Sequence, residues 1–154
     1  ESYVPYVVET SVGLDRTFLA VFCNAFKEEV VGEGEKQKTR TYLKFHPAIA
    51  PVKAAILPLS KKGGLAELGK EIFDQLKFDH NVVYDDGASI GKRYTRQDLI
   101  GTPFCITVDF ESLEDKMVTV RHRDSTEQER VAISDLGAMI SKAVTFKNVF
   151  KQIK

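Results

Sequence analysis

The sequence predicts an α/β fold, a five-stranded mixed sheet covered by three helices, preceded by a strand-turn-helix piece that belongs to a separate body. Three observations carry that prediction. From residue 52 onward, apolar runs of strand length alternate with segments of helical periodicity, in the order strand, helix, strand, helix, strand, strand, short strand, helix. Strands separated by helices run parallel while a tight hairpin runs antiparallel, so this order gives a mixed sheet. Finally, Lys27-Glu28-Glu29 and the polar stretch Gly32-Glu33-Gly34-Glu35-Lys36-Gln37-Lys38 set residues 1–26 apart from the rest.

Taken in order, residues 3–8 are β-branched and aromatic and read as a strand. Leu14, Phe18, Phe22, Ala25 and Phe26 recur at helical spacing, with Val21 on the same side, so a helix follows Gly13. Residues 27–41 read as a linker, a solvated connection with its boundary near residue 40, and residues 42–154 as a second domain. His46-Pro47 and Ala50-Pro51 punctuate its start. Residues 52–59 are a largely apolar, buried strand closed by Pro58 and the turn Lys61-Lys62-Gly63-Gly64. Leu65, Leu68, Ile72, Phe73 and Leu76 mark a helix with one apolar face. A short strand over 81–84 ends at Asp85-Asp86-Gly87, and a helix over 90–100 stops at Gly101-Thr102-Pro103. Phe104, Ile106, Val108 and Phe110 alternate with Cys105, Thr107 and Asp109, which predicts a half-buried strand. Residues 111–116 turn the chain and 117–123 return, with Thr119, Arg121 and Arg123 on one face and Val118 and Val120 on the other. A short strand over 130–133 follows. Ser134 is placed to cap a last helix whose Leu136, Ile140, Ala143 and Val144 share a side.

Composition narrows the classes. With 154 residues, 43% hydrophobic and 29% charged, the chain fits one compact domain plus an appendage. Its 22 basic and 22 acidic residues balance, so any polyanion site is a local patch rather than a global field. Cys23 and Cys105 sit among apolar neighbours without metal-ligand spacing and read as buried free thiols, suited to a reducing compartment. No apolar run approaches the ~18 residues of a membrane span, and no signal-peptide pattern opens the chain, so a cytoplasmic location is expected. Starting in a strand without Met, it reads as a piece of a longer protein. His46, His80 and His122 lie apart with no carboxylate or thiol set beside them, so no metal site is expected. Lys61-Lys62-Gly63-Gly64 lacks the spacing of a phosphate loop.

Two groups of residues suit chemistry. Glu9 and Ser11 share a face of an extended segment, and an anion beside a hydroxyl suits an ammonium group. Gly13 permits close backbone approach, and Arg16 brings a cation that fits phosphate or stacks on a flat ring. The same spacing fits an ordinary Glu9–Arg16 surface pair, and spacing alone favours that plainer reading. The second group combines Lys92, Arg93 and Arg96 with Arg121, His122 and Arg123. These cations suit phosphates or unstacked bases, yet Asp98, Asp109, Glu111 and Asp124 are as well placed to neutralise them. Spacing leaves those two readings even.

The string Pro5-x-x-x-Glu9-x-Ser11-x-Gly13-x-Asp15-Arg16 resembles motif 3 of the class II aminoacyl-tRNA synthetases, in its glycyl-tRNA synthetase form. The resemblance implies that Glu9 and Ser11 contact the glycine amino group and that Gly13 and Arg16 bind ATP, the arginine lying against adenine. Ala50-Pro51-Val52-Lys53-Ala54-Ala55-Ile56-Leu57-Pro58-Leu59, Ile90-Gly91-Lys92-Arg93-Tyr94-Thr95-Arg96-Gln97-Asp98-Leu99-Ile100-Gly101-Thr102-Pro103 and Val118-Thr119-Val120-Arg121-His122-Arg123-Asp124 resemble the C-terminal anticodon-binding domain of class IIa synthetases. With the opening motif, the resemblance covers nearly the whole chain. It implies a homodimeric parent enzyme that activates glycine with ATP and Mg2+ and transfers it to tRNA(Gly). It further implies that Arg121, Arg123 and Lys92 lie on the anticodon side, although other base-reading positions differ among family members and here are Gly87, Ser89 and Ser112. The other two class II motifs, including the arginine that grips the α-phosphate, are missing. No catalytic residue is therefore expected in this chain, and neither ATP nor Mg2+ is expected to bind it alone. Two alternatives come from the same resemblance: a non-enzymatic module like the accessory subunit of mitochondrial DNA polymerase, and a class IIa synthetase for threonine, proline or histidine. The set Glu9, Ser11, Gly13 and Arg16 speaks against the first, and the Glu-x-Ser step against the second.

Overall fold

Ala54, Ile56, Ala55 and Leu57 alternate between the two faces of one strand, yet all four are fully buried. Such a strand is covered on both sides, and the rest of the fold supplies the covers. The structure is a computed structural model that describes residues 2–32 and 37–151. Its elements are α1 (Leu14–Ala25), β1 (Phe26–Val31), β2 (Lys38–Leu43), β3 (Ala54–Pro58), α2 (Leu65–Leu76), β4 (Val82–Tyr84), α3 (Ile90–Ile100), β5 (Phe104–Val108), α4 (Ser112–Asp115), β6 (Met117–His122), β7 (Gln128–Ala132), α5 (Leu136–Val144) and α6 (Phe146–Phe150). The five-stranded sheet has the order β4-β3-β5-β6-β7. β3 pairs in parallel with β4 and β5, while β6 is antiparallel to both β5 and β7. This is the mixed sheet the element order predicts.

One face carries Ala54, Ile56, Ile106, Val118 and Val120 and packs against Leu65, Ile72 and Leu76 of α2 and Leu136 and Ile140 of α5. The other carries Ala55, Leu57 and Cys105, covered by Ile90 and Tyr94 of α3. β5 is consequently buried along its whole length rather than half-buried as its alternation predicts. Its second face meets α3, so the more polar Cys105 and Thr107 are enclosed as well.

Three other expectations are corrected. Residues 3–8 do not form a strand: residues 2–13 are extended, irregular and exposed, Tyr6 and Val4 almost completely. A strand needs a partner for its N–H and C=O groups, and among the described elements none lies alongside. Secondly, residues 27–31 and 38–41 of the predicted linker are strands, paired antiparallel from Phe26↔Leu43 to Val31↔Lys38. The centre of that linker, 33–36, lies outside the described residues. Thirdly, Ser134 does not cap α5, because a single 3₁₀ turn over Ile133–Asp135 precedes that helix and the Ser134 hydroxyl turns to Asp135.

The predicted helix α1 is present, but its apolar side is largely bare. Leu14, Phe18, Leu19 and Phe22 are between 38% and 82% exposed, and only Ala25 is buried. For the same reason Cys23 is exposed, not buried, whereas Cys105 is enclosed as expected.

Candidate nucleic-acid interface

Side chains paired across the sheet share a face, so the register extends the α3-covered face outward. One row runs Ala55, Cys105, Arg121, Gln128 and the next Leu57, Thr107, Thr119, Arg130. The first row turns polar at Arg121 of β6 and the second already at Thr107 of β5, beneath α3. The result is a polar face flanked by α3 on one side and by the β1–β2 hairpin near Arg121.

Arg121 is only 8% exposed, and it is held on two sides. Its Nη1 and Nη2 donate to Asp98 Oδ1 and Oδ2 at 3.0 and 3.1 Å, and its guanidinium lies 4.9 Å from the centre of the Tyr94 ring. Asp98 and Tyr94 are four apart on α3, which brings both to the same helix face. The Tyr94 hydroxyl is 2.7 Å from the Thr107 hydroxyl, and burial raises its pKa above the usual tyrosine value. Beneath Arg121, burial pushes the Cys105 thiol up to about 12, so this cysteine stays neutral.

A second arginine reaches the same carboxylate. Arg40 of β2 donates from Nε to Asp98 Oδ2 at 2.9 Å, from Nη1 to Glu29 at 2.6 Å and from Nη2 to the Arg123 carbonyl at 2.6 Å. Burial alone lowers the pKa of this guanidinium, but its bonds to Asp98 and Glu29 outweigh that and raise it. The hairpin is thereby tied to α3 and β6. Between β2 and α3 lies a cleft of about 400 Å³, with Lys38 and Thr41 on one wall, Tyr94 and Thr95 on the other, and Arg40, Asp98 and Arg121 within it.

Arg123, predicted to stand beside Arg121 on an RNA surface, does not. Its side chain is 1% exposed and donates from Nη1 to the Gly101 carbonyl at 2.7 Å, from Nη2 to the Phe45 carbonyl at 2.6 Å and from Nε to Asp124 at 2.8 Å. It lies one residue past the end of β6, where the alternation of faces no longer applies, and it staples three chain segments together. Lys92, in the first turn of α3, is exposed. Its neighbour Arg93 turns inward to the Pro58 and Asp85 carbonyls, and Arg96 binds Asp85 and the Gly87 carbonyl. Ser112 is buried and bonded to Asp109, whose carboxyl burial would raise but whose bonds to Ser112 and Arg130 hold below the ordinary range.

The motif residues near the start of the chain are placed differently. Glu9 and Ser11 lie in the extended segment, exposed, and Arg16 is exposed in the first turn of α1. Gly13 caps α1 with φ −74°, a conformation open to any residue. Among the described residues no ion pair joins Glu9 to Arg16. Among the described residues no three His, Cys, Asp or Glu side chains gather to hold a metal ion.

A family model described as an anticodon binding domain matches residues 53–143. The chain belongs to the anticodon binding domain family. It is 55% identical over 146 residues to a protein named glycine–tRNA ligase from Agathobacter rectalis, covering 95% of this chain and 31% of that one. Similar proteins of the same name occur in Clostridium perfringens, 56% identical over 147 residues, and Bacillus cereus, 55% over 146 residues. The chain thus spans about 31% of the length of these curated relatives. Among solved structures, the RNA binding domain of threonyl-tRNA synthetase from Cryptosporidium parvum matches with a TM-score of 0.59 and 25% identity, covering 65% of this chain and 25% of that one.

The pairing of these cations with acidic neighbours, one of the two readings that spacing leaves even, is what the structure shows for Arg121 with Asp98 and Arg123 with Asp124, while Arg40, outside the matched 53–143, is the residue that sequence reasoning missed. Arg40 was hidden in a stretch read as linker by its charge. The signal that could have found it is Thr39-Arg40-Thr41-Tyr42, β-branched and aromatic residues in alternation with a cation. No described helix is long and apolar enough to cross a membrane.

Proposed function

We propose that this chain is the anticodon-reading part of a cytoplasmic, homodimeric glycine–tRNA ligase, which activates glycine with ATP and transfers it to tRNA(Gly). The observation that carries the reading is the 55% identity over 95% of the chain to ligases of that name, together with the family match over 53–143. The polar face of β5, β6 and β7 is suited to unstacked bases, which are read by stacking and by edge hydrogen bonds. Arg121, pre-oriented by Asp98 and stacked near Tyr94, reads a base at the bottom of that face, and Lys92 contributes charge from α3. Glu9 and Ser11 hold the glycine ammonium, and Gly13 and Arg16 hold ATP, once these exposed residues are packed into a complete active site. Mg2+ accompanies ATP in the parent enzyme, and no step is assigned to it here.

The test is binding of glycine tRNA transcripts to the 154-residue chain, with the native anticodon and with each anticodon base replaced, at fixed salt. A preference for the native anticodon of about 1–3 kcal/mol per base is expected. Equal affinity for all transcripts would overturn the reading.

A further inference from the structure

We infer that Arg40 is a positioning residue for base recognition, acting through Asp98 to set the direction in which Arg121 faces RNA; this rests on the reading above that Arg121 reads an anticodon base. Asp98 Oδ1 accepts one bond, from Arg121 Nη1, whereas Oδ2 accepts two, from Arg121 Nη2 and Arg40 Nε. The last torsion of an aspartate is broad, so a carboxylate held by Arg121 alone rocks together with it. The bond from Arg40 fixes the carboxylate plane from outside, and both arms of Arg121 inherit its direction. Asp98 also lies in the last turn of α3, where the helix dipole repels a carboxylate and no basic residue of the same turn offsets it. Cations from β2 and β6 supply what α3 lacks.

Arg40 is fixed in its turn. Its Nη1 and Nη2 are bonded to Glu29 and to the Arg123 carbonyl, and its guanidinium carbon lies 4.2 Å from the centre of the Tyr42 ring. The side chain is 10% exposed, so it acts through Asp98 and not by touching RNA. Because the Arg123 carbonyl follows the end of β6, Arg40 holds that strand by its backbone as well as through the Arg121 side chain. Arg40 belongs to the hairpin, outside the matched 53–143, which puts one determinant of base specificity in a segment that the domain match does not cover.

The experiment measures binding of glycine tRNA transcripts to the 154-residue chain, with the native anticodon and with each anticodon base replaced, for wild type, Arg40→Gln, Arg121→Ala, the double variant and Glu29→Gln. Thermal melts fix an assay temperature at which the variants are folded. Arg40→Lys, which keeps the buried charge but not the three-way geometry, replaces Arg40→Gln if that variant is unfolded. Arg121→Ala identifies the base position that Arg121 reads. At that position Arg40→Gln should reduce the preference for the native base at least about threefold, and should add nothing in the Arg121→Ala background. Preferences at the other positions, and the slope of log K against log salt, should stay as in wild type, because no phosphate contact is lost. Glu29→Gln should keep the preference, since it leaves the bond from Arg40 to Asp98 in place. Wild-type preference in Arg40→Gln would overturn the inference. So would a loss equal at all positions, an equal loss in Glu29→Gln, or a further loss in the double variant. A wild type without preference, or an Arg121→Ala that loses none, would remove the reading beneath it as well.

Discussion

Asp98 of α3 and Arg121 of β6 meet in a two-armed ion pair at 3.0 and 3.1 Å, with both side chains less than 10% exposed. Arg40 adds a third bond to the same carboxylate. One aspartate therefore fixes an arginine on the polar sheet face and anchors the hairpin that walls the adjacent cleft.

Removing that carboxylate strands the buried Arg121 guanidinium and takes one of three bonds from Arg40, which keeps Glu29 and the Arg123 carbonyl. Asp98→Ala should cost about 3–5 kcal/mol, the range for breaking a buried pair by deleting one partner. Urea denaturation of wild type and variant measures it. A loss below about 1 kcal/mol would show that the pair is solvated in practice.

Gly101 ends α3 in the left-handed region at φ 78°, and an added Cβ would lie 2.6 Å from Phe45 Cδ2 and 2.9 Å from the Leu43 carbonyl. Phe45 and Leu43 are also where the Arg123 staple and the end of β2 converge. Gly101→Ala should destabilise by about 1–3 kcal/mol through strain and overpacking together. A melting temperature equal to that of the wild type would contradict this packing.

Acid should loosen the outer end of the polar face. Asp109 has its pKa depressed, as burial is outweighed by its bonds to Ser112 and then Arg130. Its stabilising contribution is therefore complete above the unfolded value of about 3.9 and is lost as pH falls through the lower folded value. Melting temperatures between about pH 6 and pH 2 should drop below about pH 4 for wild type and drop less for Asp109→Asn. Parallel curves for the two proteins would exclude Asp109 as a contributor.

In a longer ligase carrying this chain, Arg16→Ala should lower glycine-dependent pyrophosphate exchange at least about tenfold, or about 1.4 kcal/mol. Unchanged exchange kinetics would remove Arg16 from the ATP site.

Most elements from residue 54 to 144 were readable because their patterns record which face each residue buries, as in Leu65, Ile72 and Leu76 of α2, whereas Ser112–Asp115, read as a turn, is a short helix. Residues 3–8 show what such patterns omit: strand propensity does not supply a pairing partner. The hairpin failed in the opposite direction, since the charges of Lys27, Glu28 and Glu29 masked a strand that pairs locally with Tyr42, Thr41 and Arg40. Within the site, Arg121 and Arg123 were indistinguishable by alternation. Their fates separate through Asp98, Gly101 and Phe45, which lie 22 to 78 residues away, and local periodicity carries no information about such contacts.

The claim that this domain reads an anticodon is tested most directly by footprinting a glycine tRNA transcript with hydroxyl radicals and base-specific probes, with and without the 154-residue chain. Protection is expected at the anticodon bases and along the adjoining backbone. Protection confined to the acceptor stem, or spread evenly over the transcript, would contradict it.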